Sequence, residues 1–112
     1  MLTGDTFFPL GRIFISLEAS CLLHPQFALF CLWRHGRGEW GELTSAEAIQ
    51  NNEAAKGRSP VVSRYIAPNH IKIRIKTNGD RADTLITVEG ETKAEFLSLE
   101  CWISGGQCRT CG

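Results

Sequence analysis

From His70 to Lys76 apolar and charged residues alternate without interruption: Ile71, Ile73 and Ile75 take one side, Lys72, Arg74 and Lys76 the other. A period of two over this length predicts a half-buried strand. Asn78-Gly79 follows, a strong short-range hairpin signal. A returning strand from about Ala82 to Val88 puts Thr84, Ile86 and Val88 on the isoleucine side and Asp83 outside, beside Arg74 or Lys76. Upstream, Pro60–Ile66 reads as a strand and Ala67-Pro68-Asn69 as a turn, which completes a three-stranded meander.

The first half is patterned differently. Phe7–Ile15 predicts a strand that Pro9 and Gly11 confine to an edge or to its start. Leu17–Leu23 reads as a short helical turn. Pro25 suits the first position of a further helix, where its missing donor costs nothing. That helix carries Phe27, Leu29, Phe30, Leu32 and Trp33, apolar round most of its circumference, and stops near Gly36. Such a helix is buried on several sides or lies in a subunit contact. Thr44-Ser45-Ala46-Glu47 has capping-box form and opens a helix that Lys56-Gly57 ends. Ile49 is the only large apolar residue of its thin stripe; Asn51 and Asn52 are poor mid-helix residues, one of which is expected to bond the adjoining loop. Lys93–Trp102 is compatible with strand or helix. The pattern as a whole predicts an α+β domain over residues 1–103. Its antiparallel sheet, the meander plus the N-terminal strand, has two or three helices packed on one face, and 104–112 forms a flexible tail.

At 112 residues the chain is one domain, and its formal charge of zero gives no bulk attraction to nucleic acid or membrane while favouring self-association. The run Cys21–Trp33 is too short to span a bilayer, and the N-terminus lacks the basic start of a secretory signal, so a cytoplasmic protein is expected. Five cysteines, an odd number, then read as free thiols. Cys108-x-x-Cys111 has ligand spacing, and Cys101 and His24 could complete a zinc set. A lone pair at a terminus is read here as unbound, so no metal or cofactor is expected.

The motif Arg34-His35-Gly36-Arg37-Gly38-Glu39-Trp40-Gly41 concentrates the candidate chemistry. His35 with Glu39 and Glu42 could be a general base with acidic partners. The plainer reading is a cationic imidazole in the last turn of a helix. Trp40 could stack on a ligand or plug the loop with its ring nitrogen on a carbonyl. Asp80-Arg81 could grip an anion, or stabilise a turn and bridge to the first half.

Together these short motifs resemble a family of small bacterial proteins of mobile elements, described as plasmid-related and found as integron gene cassettes. The likeness covers roughly residues 7–88: Phe8-Pro9-Leu10-Gly11, Arg34-His35, Gly38-Glu39-Trp40-Gly41, Asn51 or Asn52, Ser63-Arg64-Tyr65, Lys72-Ile73-Arg74-Ile75, and Asp80-Arg81 before Thr84. Glu39 stands where the family has Asp and Arg74 where it has Trp, and its Leu-Pro-Glu-Glu-Tyr ending is absent. The resemblance implies a fold and a genomic setting but no reaction. The expected function is a non-enzymatic interaction module of a mobile element, a homodimer using the glycine-tryptophan loop and an exposed sheet edge. Its candidate binding residues are His35, Glu39, Trp40, Asn52, Asp80 and Arg81. One alternative is a small RNase or toxin-like hydrolase using His35, Glu39 and Arg81. Another is a nucleic-acid-binding modulator using Lys72, Arg74 and Lys76, a face for which only Tyr65 offers a stacking ring.

Overall fold

The computed structural model describes residues 6–91 and 94–104. Strand β1 (Arg12–Ser16) is followed by helices α1 (Leu17–Leu22), α2 (Pro25–Gly36) and α3 (Ser45–Lys56). The meander β2 (Val61–Ile66), β3 (Lys72–Thr77) and β4 (Asp83–Val88) comes next, then β5 (Phe96–Ser98) and α4 (Leu99–Ile103). The sheet runs β2-β3-β4-β1-β5, an α+β architecture as the pattern predicts.

The helix boundaries follow local chemistry. The Thr44 hydroxyl accepts from the Glu47 amide at 3.2 Å and the Glu47 carboxylate accepts from the Thr44 amide at 3.0 Å, a complete capping box. That amide holds the Glu47 carboxyl below its usual pKa. Pro25 occupies the first turn of α2, whose cap is His24, its Nδ1 accepting from the Gln26 amide. Ser16 and Ser98 cap α1 and α4 where the chain passes straight from strand to helix.

Two strand placements differ from expectation. β1 starts only at Arg12 and is interior, pairing parallel with β4 (Ile13 opposite Thr84, Ile15 opposite Ile86) and antiparallel with β5. Of the segment left open as strand or helix, the described residues 94–102 hold both, three residues of β5 continuing β1's pairing before α4 begins. Helix α1 packs on β1 and β4, α4 on β1 and β5, and α3 lies against β2. Between them Ile15, Leu32, Ile73, Ile75 and Ile86 are fully buried, each stabilising the fold by about 1.5–3 kcal/mol.

The expected exposed edge is absent at β2. Asn51 projects from α3 and brackets Val62: its Nδ2 donates to the Val62 carbonyl and its Oδ1 accepts from the Val62 amide at 3.3 Å. Two residues along, the Arg64 amide donates to the Trp40 carbonyl at 3.1 Å, and the Glu42 amide to the Arg64 carbonyl at 2.7 Å. A side-chain amide and a loop thus occupy the groups that would otherwise template another strand. Asn51 is the buried residue of α3, while Ile49, the expected apolar stripe, is 62% exposed.

Candidate functional site

The residues singled out in the sequence meet where α2, the 37–42 loop, α3 and the β3–β4 turn converge, and they meet as structure. His35 is fully buried. Its Nδ1 lies 2.6 Å from Ser63 Oγ and its Nε2 2.9 Å from Thr77 Oγ1; Thr77 Oγ1 lies 2.7 Å from Thr84 Oγ1, which is 2.6 Å from the Leu10 carbonyl. The direction of every proton follows from the last acceptor. A carbonyl only accepts, so Thr84 donates to Leu10, Thr77 donates to Thr84, His35 Nε2–H donates to Thr77, and Ser63 donates to the bare Nδ1. The chain is satisfied by a neutral imidazole in one tautomer. Burial, seconded by the nearby Arg81 charge, lowers the His35 pKa to about 3. His35 does lie in the last turn of α2, but the cationic imidazole expected there is corrected to a neutral group inside the core.

Phe8 meets the His35 ring edge-on with centroids 5.4 Å apart, and Trp40 does the same at 5.9 Å. Trp40 is a plug: it is buried, and its indole N–H donates to Asn52 Oδ1 at 3.0 Å. This is the loop bond expected of one of the two asparagines. Glu39 is exposed; its carboxylate faces Arg34 at 3.4 Å and its carbonyl accepts the Tyr65 hydroxyl at 2.7 Å. Burial pushes the Tyr65 pKa up. Asp80 accepts from the Ala82 amide at 3.0 Å and holds the turn.

Arg81 reaches back to the first half, onto carbonyls rather than the expected carboxylate. Its guanidinium donates to Ala54 (2.7 Å), Gly57 (3.0 Å), Ser59 (2.9 Å) and Asn78 (3.2 Å) and lies 5.2 Å from the Phe8 ring centroid. Two of those carbonyls close the C-terminus of α3, where a cation complements the helix dipole. Arg81→Ala should lower stability by about 2 kcal/mol, and Arg81→Lys should restore less than half, since an ammonium cannot fork onto four acceptors. Urea unfolding at pH 7 measures both.

Two surfaces remain. On α2, Phe30 and Trp33 are 53% and 41% exposed with stacked rings 6.4 Å apart, and Phe7, 66% exposed, lies alongside. Arg34 sits over Phe30 at 5.7 Å; Arg37 sits over Trp33 at 5.2 Å and over Phe7 at 5.7 Å. On the sheet face away from the core, Lys72 and Arg74 are exposed and Lys76 half-buried. Tyr65, the expected stacking ring, points into the core, but Phe14 is half-buried on the outer side, with Arg12 at 5.7 Å. Beside this face a groove of about 650 Å³ runs between α3 and β2–β3, lined by Ile49, Gln50, Pro60, Val62, Arg64 and Arg74 among others.

Ser63 and Thr77 are the participants that sequence reasoning did not assign a role; Asn51, one of the two asparagines considered for the loop bond, holds Val62 of β2 instead. For His35 itself a signal exists: Ala28, Cys31, Leu32 and His35 form one i, i+3, i+4, i+7 stripe, and all are buried. Cys31 within it is an inert thiol, burial pushing its pKa up to about 12. Among the described residues no group of three or more His, Cys, Asp or Glu could hold a metal ion, and no helix is long and apolar enough to cross a membrane. Cys108, Cys111 and the proposed tail from 105 onward lie outside the described residues. Comparison with family models, curated proteins and solved structures finds no match.

Proposed function

We propose that the protein is a non-enzymatic interaction module, an accessory of a mobile genetic element, and that it docks a protein partner through the outer face of α2. The partner argued for is a second copy of the chain. The observation that carries this reading is the Phe7–Phe30–Trp33 strip with Arg34 and Arg37 over its rings. Aromatic and arginine side chains are the residues enriched at interface centres. A two-fold contact would bring the rings of one copy against the rings and guanidinium planes of the other, and a formal charge of zero opposes it with little repulsion. The contact surface is thus moved from the glycine-tryptophan loop and the β2 edge, both of which are occupied internally. The hydrolase reading has less support: His35 is sealed in the core, Arg81 is held by four carbonyls, and neither lines the groove beside β2.

Sedimentation across a thousandfold concentration range tests the reading. The wild type should dimerise, and Trp33→Ala with Phe30→Ala should raise the dissociation constant by roughly thirtyfold, the effect of losing a hot spot of about 2 kcal/mol. A wild type monomeric throughout, or a double variant that dimerises equally well, would remove the proposal.

A further inference from the structure

The outer face of the sheet carries a charge arrangement that stability alone does not favour. Five cations lie on it: Arg12, Arg64, Lys72, Arg74 and Lys76. The acids beside them are already engaged. Asp83, expected beside Arg74 or Lys76, is directly opposite neither in the β3–β4 ladder; it stands opposite Arg12 in the parallel β1–β4 pair and accepts from its Nε at 3.2 Å. Arg64 is flanked by Glu47 and Glu89, each at 3.8 Å. None of Lys72, Arg74 and Lys76 has an ion pair among the described residues. Their cross-strand neighbours compensate them little. Lys72 stands between Ile66 and Glu89, whose amide donates to the Lys72 carbonyl while its carboxylate faces Arg64. Lys76 lies between Val62 and Leu85, and Arg74 stands directly opposite Arg64 with Thr87 on its other side. Like charges directly opposed across a ladder are destabilising, and the three β3 cations follow each other at about 6.7 Å along one strand.

Beside this row the face is apolar. Leu85 and Phe14 are in register on β4 and β1, and Phe96 on β5, 39% exposed, lies opposite Ser16. No residue of β2, β3 or β4 on this side is buried; α3 borders the face along β2, where Glu47 reaches Arg64. The groove by α3 continues the surface past Arg74 and gives the exposed Ile49 and Pro60 a place as apolar walls.

We infer that this face binds single-stranded nucleic acid, its phosphates on the Lys72–Arg74–Lys76 row and its bases over Phe14 and Leu85. Uncompensated cations supply the charge complement to a phosphate backbone. An open sheet with a ring beside the cations is a stacking platform for unpaired bases. A duplex groove requires a projecting helix or ribbon instead, and this face has none among its described residues. The surface is distinct from the α2 strip and does not depend on dimerisation.

Fluorescence anisotropy with labelled twelve-nucleotide oligouridine RNA and oligothymidine DNA, a DNA duplex of equal length and a poly-glutamate peptide tests the inference. Both single strands should bind at 50 mM salt and weaken on the order of tenfold or more at 200 mM. Their relative affinities report whether RNA or DNA is preferred. The triple variant Lys72→Thr/Arg74→Thr/Lys76→Thr should lose at least tenfold and flatten the log–log salt slope by about 2, or about 0.7 per lost phosphate contact. Threonine suits a strand and removes the opposed charges, so the same variant should melt at an equal or higher temperature. Phe14→Leu keeps the apolar bulk and should weaken binding about fivefold or more with the salt slope unchanged. Lys56→Ala, remote from the face, should bind as the wild type does. Absence of binding to either single strand at 50 mM salt would overturn the inference. So would equal or tighter binding of the duplex or peptide, or an unaltered affinity in the folded triple variant.

Discussion

Replacing His35 by alanine should cost about 4 kcal/mol or more at pH 7, the largest loss expected from a single side chain here. The substitution opens a cavity in a closed part of the core and orphans two buried hydroxyls. The Ser63 donor and the Thr77 acceptor both lose their partner. A large-to-small core change costs about 2–5 kcal/mol, and each unsatisfied buried polar group a further 1–3 kcal/mol. Chemical denaturation of the variant measures the sum.

The same residue gives the fold a pH dependence whose sign is fixed. In the unfolded chain His35 titrates near 6.5, while in the folded protein burial holds its pKa at about 3. Above pH 6.5 both states carry the neutral ring and the group contributes no slope. Between about 6.5 and 3 the unfolded state binds the extra proton, so stability falls as pH falls, by up to about 1.4 kcal/mol per unit. Below about 3 both states are protonated and the slope vanishes. His35→Gln removes the titration while keeping one donor and one acceptor. Its stability between pH 6.5 and 4 should therefore decline less steeply than the wild type's, the difference approaching 1.4 kcal/mol per unit. Parallel curves would show that the ring is protonated in the native state. Nitrogen chemical shifts of the native ring should report the Nε2–H tautomer throughout that range.

How much of this was legible follows from which interactions are local. The capping box, the proline start of α2 and the alternation of β3 are written within a few residues, and the structure has them at the expected positions. Inward and outward faces of the meander were also readable, because alternation assigns them whatever the partners are. The insertion of β1 beside β4 was not, because a parallel pairing across some 70 residues leaves no mark in either strand's own pattern. β5 was ambiguous because three residues are too few to show a period. The motif around His35 stood out as chemistry-bearing residue types. Those types serve equally for a catalytic pair and for a buried polar ladder, and only burial distinguishes them. Ser63, Thr77 and Thr84 all occupy inward positions of their strands. Three hydroxyls on a core face facing one histidine of an apolar helix stripe is the combination that points to the ladder.

Gly41→Ala should cost about 3 kcal/mol or more, and comparison with Gly90→Ala separates the reasons. Both glycines have positive φ, +78° at Gly41 and +92° at Gly90, where an L side chain costs about 1–2 kcal/mol. A Cβ at Gly90 would meet nothing within 4 Å, so that variant should show the backbone cost alone. At Gly41 the added carbon would lie 1.9 Å from the Arg64 carbonyl oxygen and 2.7 Å from Tyr65 Cδ1. The loop must then lift from β2, giving up the Arg64–Trp40 and Glu42–Arg64 backbone bonds and drawing the indole away from Asn52. The excess of the Gly41 variant over the Gly90 variant in urea unfolding should thus be at least about 1 kcal/mol, the net worth of one such bond. Faster amide exchange at Glu42 and Arg64 should accompany it. Lifting this loop also frees the backbone groups of Arg64 on the outer edge of β2. The Gly41 variant, and not the Gly90 variant, should then aggregate on prolonged incubation, because an uncovered strand edge templates further pairing.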